Sequence, residues 1–181
     1  MTRNDPALAE KVCLALVTEG PTHGWAVSGL LASEAEIGRI WSLSRPLTYR
    51  ALDQLGIDGM IEKVGTAPGA GRNRTLLAAT SRGRMECTRW LEEPVLLPRD
   101  VRTELLVKFA LRTRRGLGLQ PLARGQREVF APFMAMKPKL LPVSIEGDSE
   151  LAESADFVDL WKREHLLAID RFLEAIENSV A

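Results

Sequence analysis

Apolar positions along this chain recur at helical spacing in some stretches and alternate in others, and the changes of spacing mark its elements. From Ala7 to Thr18 apolar residues fall at Leu8, Val12, Ala15 and Leu16, one face of a helix that Gly20-Pro21 terminates. A second helix is expected from about His23 to Ala32, and Gly38-Arg39-Ile40-Trp41 reads as a short β-like piece. Ser44 suits a helix N-cap, with Pro46 in the first turn, where its missing N–H costs nothing. That third helix, about residues 45–58, carries Leu52 and Leu55 on one side and stops at Asp58-Gly59, glycine being suited to the left-handed residue after a helix. Met60 to Val64 alternates as a strand, Gly65 to Gly71 is a glycine-rich loop, and Thr75 to Ala78 is a return strand. Thr80 caps a fourth helix through Trp90, closed by Pro94.

Three helices, a two-stranded ribbon and a further helix make the order of a winged helix-turn-helix. Beyond Pro98 the pattern is helical again: Val101 to about Arg115 with Asp100 as cap, then Pro121 to about Lys137. Pro138 to Ser149 reads as a connecting loop. The longest helix, Asp156 to Val180, places Val158, Trp161, His165, Ile169, Phe172 and Ile176 three or four apart, while Leu166, Leu173 and Val180 repeat at seven. Such a face is too long to bury against one small domain, so Val158, Trp161, Ile169, Phe172, Leu173 and Ile176 are assigned to dimerisation. The expected fold is mainly α with a small β-hairpin: a winged helix-turn-helix domain over 1–93 and an all-helical dimerisation and possible effector domain over 94–181.

Charge refines this picture. The 181 residues hold 24 Lys+Arg and 24 Asp+Glu, a net charge of zero, which argues against coating nucleic acid through bulk charge. The zero is a cancellation. Residues 94–143 carry 10 basic and 3 acidic residues, and 144–181 carry 3 basic and 10 acidic. Inside the neutral first segment, residues 39–84 hold 8 basic against 3 acidic, centred on the third helix and the ribbon. The basic middle and the acidic tail are expected to pack against each other, leaving that window uncompensated.

Several classes drop out. Cys13 and Cys87 make no disulfide framework, and no Cys/His spacing suits a metal. Cys13 lies on an apolar helix face and Cys87 is the thiol expected to be exposed. No stretch is long and apolar enough for a membrane span, the N-terminus lacks a signal-peptide pattern, and the chain is expected to be cytoplasmic. Gly69-Ala70-Gly71 is no dinucleotide fingerprint, and two distant histidines with no nucleophile motif argue against an enzyme, so no catalytic residue or cofactor is assigned.

Several blocks occur in a set order: Leu14-Ala15-Leu16 followed by Gly20-Pro21-Thr22-His23-Gly24-Trp25, then Ile40-Trp41, Ser44, Tyr49-Arg50-Ala51-Leu52, Leu55 and Asp58-Gly59. Gly71-Arg72, Thr80, Gly83, Trp90-Leu91 and the run Val101 to Lys108 continue the series. In these blocks and their order the chain resembles the PadR-like family of winged-helix transcriptional regulators. The chain departs from the family's usual Thr-Leu-Tyr in reading Leu47-Thr48-Tyr49, and has Leu77 in place of an aromatic residue. The resemblance implies a repressor released by a small aromatic or cationic molecule, with activators also known in the branch with a long helical C-terminal domain. The alternatives are such an activator, or a ligand- or protein-binding scaffold without DNA readout.

With Thr48, Ala51, Leu52 and Leu55 facing inward, the third helix turns Tyr49, Arg50, Asp53 and, obliquely, Gln54 outward. Arg50 suits a guanine edge and Gln54 an adenine edge, each worth about 1–3 kcal/mol of discrimination. Ser42, Ser44 and Arg45 at the helix entrance suit phosphates, and Arg72, Asn73 and Arg74 in the wing suit the adjacent minor groove or backbone. One module makes few contacts, so the expected assembly is a homodimer on an inverted repeat of double-stranded DNA. Trp90, Phe130, Phe133, Trp161 and His165 are the candidate effector residues.

Overall fold

A computed structural model describes residues 7–69, 73–135, 140–143, 152–155 and 157–179. Its elements are α1 (Leu8–Thr18), α2 (Gly24–Leu30), α3 (Arg45–Ile57), β1 (Ile61–Ala67), β2 (Arg74–Ala79) and α4 (Ser81–Glu92), followed by α5 (Leu106–Arg114), α6 (Gln120–Met134), β3 (Leu140–Val143), β4 (Ala152–Ala155) and α7 (Phe157–Glu177). The fold is mainly helical, with a winged helix-turn-helix at its N-terminal side. The chain divides into two compact units, one of residues 1–93 and 99–118, the other of residues 94–98 and 119–181.

In the first unit, α1 is the central post. Val12 through Val17 are all buried, which an apolar run without turn residues permits only where neighbours cover every face. Helix α3 supplies Ala51, Leu52 and Leu55, and α4 supplies Cys87, Trp90 and Leu91. The chain leaves α3 through Gly59 at φ +68°, the left-handed region where a side chain is disfavoured. Strands β1 and β2 pair antiparallel from Ile61 opposite Ala79 to Ala67 opposite Arg74, with an irregularity between Lys63 and Gly65. Thr22 also bonds Leu77 in both directions, N–H to carbonyl, which ties the loop before α2 to the base of the wing. Thr80 caps α4 as expected, its hydroxyl accepting the Gly83 N–H at 3.1 Å.

Four local expectations are corrected. Gly38 to Trp41 is not β-like: Arg39 N–H bonds Ala35 and Trp41 N–H bonds Ile37, helical turns that tuck Ile37 into the core. The helix expected from Val101 instead begins as a 3₁₀ turn (Pro98–Asp100) and a π-helical turn (Val101–Leu105), and the Asp100 side chain caps nothing. Leu140–Val143 is a strand paired with Ala152–Ala155, although Pro138 to Ser149 read as loop; Pro142 is compatible with a two-stranded ladder because such a ladder has free edges. Residues 99–118 lie with the first unit, where a division after Glu93 was expected. The cause is chemical: Val107 and Leu111 join the core, Lys108 donates to the Glu93 carbonyl at 2.7 Å, and Arg112 donates to the Leu91 carbonyl at 3.1 Å. Both cations satisfy carbonyls left open at the C-terminus of α4.

In the second unit, α6 packs on α7. Gln126, fully buried, brackets the Val95 peptide with its amide, accepting its N–H at 2.7 Å and donating to its carbonyl at 2.8 Å. Arg127 donates to Asp170 at 2.8 Å and Glu177 at 3.0 Å, and Arg124 donates to Glu177 at 2.9 Å. The basic middle and acidic tail do meet, here within one chain. These arginines hold the Glu177 carboxyl below its usual pKa, Arg124 contributing most.

Candidate nucleic-acid interface

Helix α3 divides as its sequence spacing requires. Thr48, Ala51, Leu52 and Leu55 are buried, and the Thr48 hydroxyl is satisfied by the Ser44 carbonyl at 3.1 Å. The opposite face is open: Arg45, Leu47, Tyr49, Arg50 and Asp53 are exposed. The exchanged pair Leu47-Thr48 therefore puts the hydroxyl in the core and the leucine outside. Gln54 is half-buried and one N–H of its amide donates to Asp58 at 3.1 Å, which engages one of its two donors at the C-terminal end of the helix. Ser42 and Ser44 are exposed, and the Ser44 side chain makes no capping bond although it occupies the N-cap position.

Beside this face lies a groove bordered by His23, Trp25, Tyr49, Asp53, Lys63 and Arg74. Four elements build it, β1 supplying Lys63 and α3 supplying Tyr49 and Asp53. Helix α2 begins at Gly24, where an added Cβ would stand 2.7 Å from the Tyr49 ring, so only glycine lets that ring lie against the helix start. His23 precedes it as N-cap, its Nδ1 accepting the Ala26 N–H at 3.0 Å. Strand β2 contributes Arg74, whose Nη1 lies 3.4 Å from His23 Nε2. Asn73 is exposed at the loop end of the wing, and Arg72 lies outside the described residues.

Trp25, 47% exposed, is the residue that sequence reasoning left without a role. The Arg45 guanidinium stands 4.0 Å from its ring centroid and that of Arg74 5.3 Å. Each such contact stabilises by about 0.5–1 kcal/mol at an exposed site. Arg45, Arg50 and Arg74 make no carboxylate ion pair among the described residues, whereas Arg89, Arg114, Arg124 and Arg127 all do. These three guanidiniums thus keep their donors free of a carboxylate partner among the described residues. The sequence blocks contain these residues but do not group them, because the cluster forms only where α2, α3 and β2 converge.

The candidate effector residues divide differently. Trp90 is a core residue of the first unit, donating to Glu104 at 2.6 Å with the Lys108 ammonium 5.2 Å from its ring. Phe130 is buried and meets Phe133 edge to face, centroids 6.0 Å apart. Trp161, 64% exposed, stacks on His165 at 5.1 Å. Of the residues assigned to dimerisation, Val158, Trp161 and Phe172 are exposed and Ile176 is half-buried. Ile169 and Leu173 are instead buried within the second unit, on the side of α7 that its own chain covers. Cys87 is buried too, its sulfur 3.5 Å from the Thr18 hydroxyl, contrary to the exposure expected of it, and burial pushes the Cys13 thiol up to about 12. Among the described residues no group of three or more His, Cys, Asp or Glu could hold a metal ion, and no helix is long and apolar enough to cross a membrane.

No protein-family model and no curated protein matches this chain. Among solved structures the chain is similar to PadR and PadR-like transcriptional regulators. Bacillus subtilis PadR in complex with operator DNA is 21% identical, with a TM-score of 0.47 over 96% of this chain and 99% of that one. The same protein in complex with p-coumaric acid is 21% identical, with a TM-score of 0.42 over 97% of each chain. A PadR-like transcriptional regulator from Bacillus cereus is 14% identical, with a TM-score of 0.42 over 98% of this chain and 96% of that one.

Proposed function

We propose that this chain is a DNA-binding transcriptional regulator that reads the major groove with α3 and grips the adjacent backbone with its wing. The observation that carries this reading is the division of α3: a fully buried inner stripe, and an outer stripe holding Arg50 free of any described carboxylate. An arginine left unpaired on a rigid helix keeps its forked donors for a base edge, and a guanine offers two acceptors at matching spacing. Ser42, Ser44, Arg45, Asn73 and Arg74 supply backbone contacts around it, and Arg72 completes the wing's basic residues.

The acting form is a homodimer on an inverted repeat, functioning as a repressor released by a small aromatic or cationic molecule. The resemblance of the sequence blocks supports the repressor role. Trp161, 64% exposed on α7, supports the dimer, since an apolar side chain of that size in solvent favours a covering partner. The effector would meet Phe133, Trp161 and His165, the partly exposed rings of the second unit.

The test is an anisotropy titration of the full chain against labelled DNA from upstream of its own gene, over a range of salt. Tight binding that weakens steeply as salt rises supports the reading. Absence of binding, or affinity indifferent to salt, contradicts it.

A further inference from the structure

We propose that Trp25 organises a phosphate clamp in which Arg45, Arg74 and His23 together take the backbone of one DNA strand, between the groove read by α3 and the wing. The clamp rests on the DNA-binding reading above and adds to it a residue and a mechanism of grip. Trp25 sits at the second position of α2, Arg45 opens α3 and Arg74 opens β2, so three elements bring their side chains to one point.

The manner in which the cations are held points to an anion. A carboxylate orients an arginine by occupying its N–H donors and cancelling its charge. An indole face orients the guanidinium through its flat side and leaves both donors and charge available. Arg45 and Arg74 stand over the same ring, at 4.0 and 5.3 Å from its centroid, so they can be no further apart than these two distances laid end to end. That upper limit is on the order of one Debye length at physiological salt, about 8 Å. Two like charges so close, with no described carboxylate on either, are relieved when an anion lies between or across them.

His23 gives an independent sign. Its Nδ1 accepts the Ala26 N–H, so in the neutral ring the proton stands on Nε2. Nε2 faces Arg74 Nη1 at 3.4 Å, which brings two donors together. A phosphate oxygen accepting from both resolves that encounter, and a duplex backbone presents such oxygens in series. Trp25 itself gains a function consistent with its exposure: it positions the two cations.

Full-length protein is titrated against a short fluorescein-labelled duplex of mixed sequence at several chloride concentrations. Trp25→Leu is expected to weaken binding roughly tenfold and to flatten the plot of log affinity against log salt by about one to two phosphate contacts, each worth about 0.9 in slope. Trp25→Phe keeps an aromatic face and should recover most of the loss. In a protein already carrying Arg45→Ala and Arg74→Ala, both at solvent-accessible positions, Trp25→Leu should change nothing further. A Trp25→Leu protein with wild-type affinity and slope overturns the clamp, and so does an additional loss in the arginine-free background, which would mark Trp25 as structural only. Inorganic phosphate at matched ionic strength should not displace the duplex; displacement from wild type but not from Trp25→Leu would show a free-phosphate site instead. Wild-type protein that binds no duplex at all defeats the DNA-binding reading, a result distinct from all of these.

Discussion

Lys108 is only 1% exposed, and its ammonium nitrogen lies 3.1 Å from a carboxylate oxygen of Glu104. The same oxygen accepts the Trp90 indole N–H at 2.6 Å. Burial pushes the Lys108 pKa below its usual value, and Glu104 opposes that shift. A lysine with a depressed folded pKa holds fewer protons folded than unfolded across the window up to the ordinary value of about 10.4. Stability therefore rises with pH through that window. Glu104→Gln keeps an acceptor for Trp90 but removes the counter-charge. It should destabilise the protein by about 1–3 kcal/mol near neutral pH, and the deficit should shrink toward about pH 10 as Lys108 becomes neutral. Urea melts at the two pH values check this; an equal deficit at both would sink the assignment.

Gly83 is a packing residue in the first turn of α4. A Cβ there would lie 2.1 Å from the Met60 carbonyl oxygen, a backbone atom held by the strand start. Gly83→Ala should cost about 1–3 kcal/mol in denaturant melts, from a forced backbone shift. Helix propensity alone argues for the reverse, a gain of up to about 1 kcal/mol, so a stabilised variant would show that the contact relaxes freely.

The junction of α6 and α7 depends on charge. Arg127 meets Asp170 and Glu177, and the Glu177 carboxyl is held below its usual pKa by Arg124 and then Arg127. A depressed carboxyl stabilises above its unfolded pKa and loses that contribution as pH falls through the folded value. Arg127→Ala should lower amide protection along α7 in hydrogen exchange, and the gap from wild type should close at high salt or on acidification. A gap unaffected by either would indicate lost packing instead of charge.

Association should depend on the exposed face of α7. Light scattering at micromolar concentration is expected to show a dimer for the wild type and a monomer for the pair Val158→Asp, Trp161→Asp. A wild-type monomer, or a dimer that survives both charges, would place the interface elsewhere.

Much of this was legible in the sequence, for a definite reason. Helix α3 states its inner stripe at Thr48, Ala51, Leu52 and Leu55 because one element packs one face, and Gly59 and Thr80 are signals local to a turn and a cap. Gly38 to Trp41 misled because a β-branched and an aromatic residue beside glycine look extended until Ile37 finds the core. The face of α7 misled in another way: Ile169 and Leu173 share a period with Trp161, and only the packing of α6 shows which residues the chain itself buries. The Trp25 cluster was beyond reach, since its two arginines lie 20 and 49 positions away in the chain.

The central claim is that α3 reads base sequence through Arg50. The most direct measurement compares wild-type and Arg50→Ala protein on the upstream DNA and on a shuffled duplex of equal length, at fixed salt. The account predicts that Arg50→Ala loses about 1–3 kcal/mol on the upstream site and much less on the shuffled one, so that discrimination collapses while salt-dependent binding persists. Equal losses on both duplexes, or none on either, would contradict it.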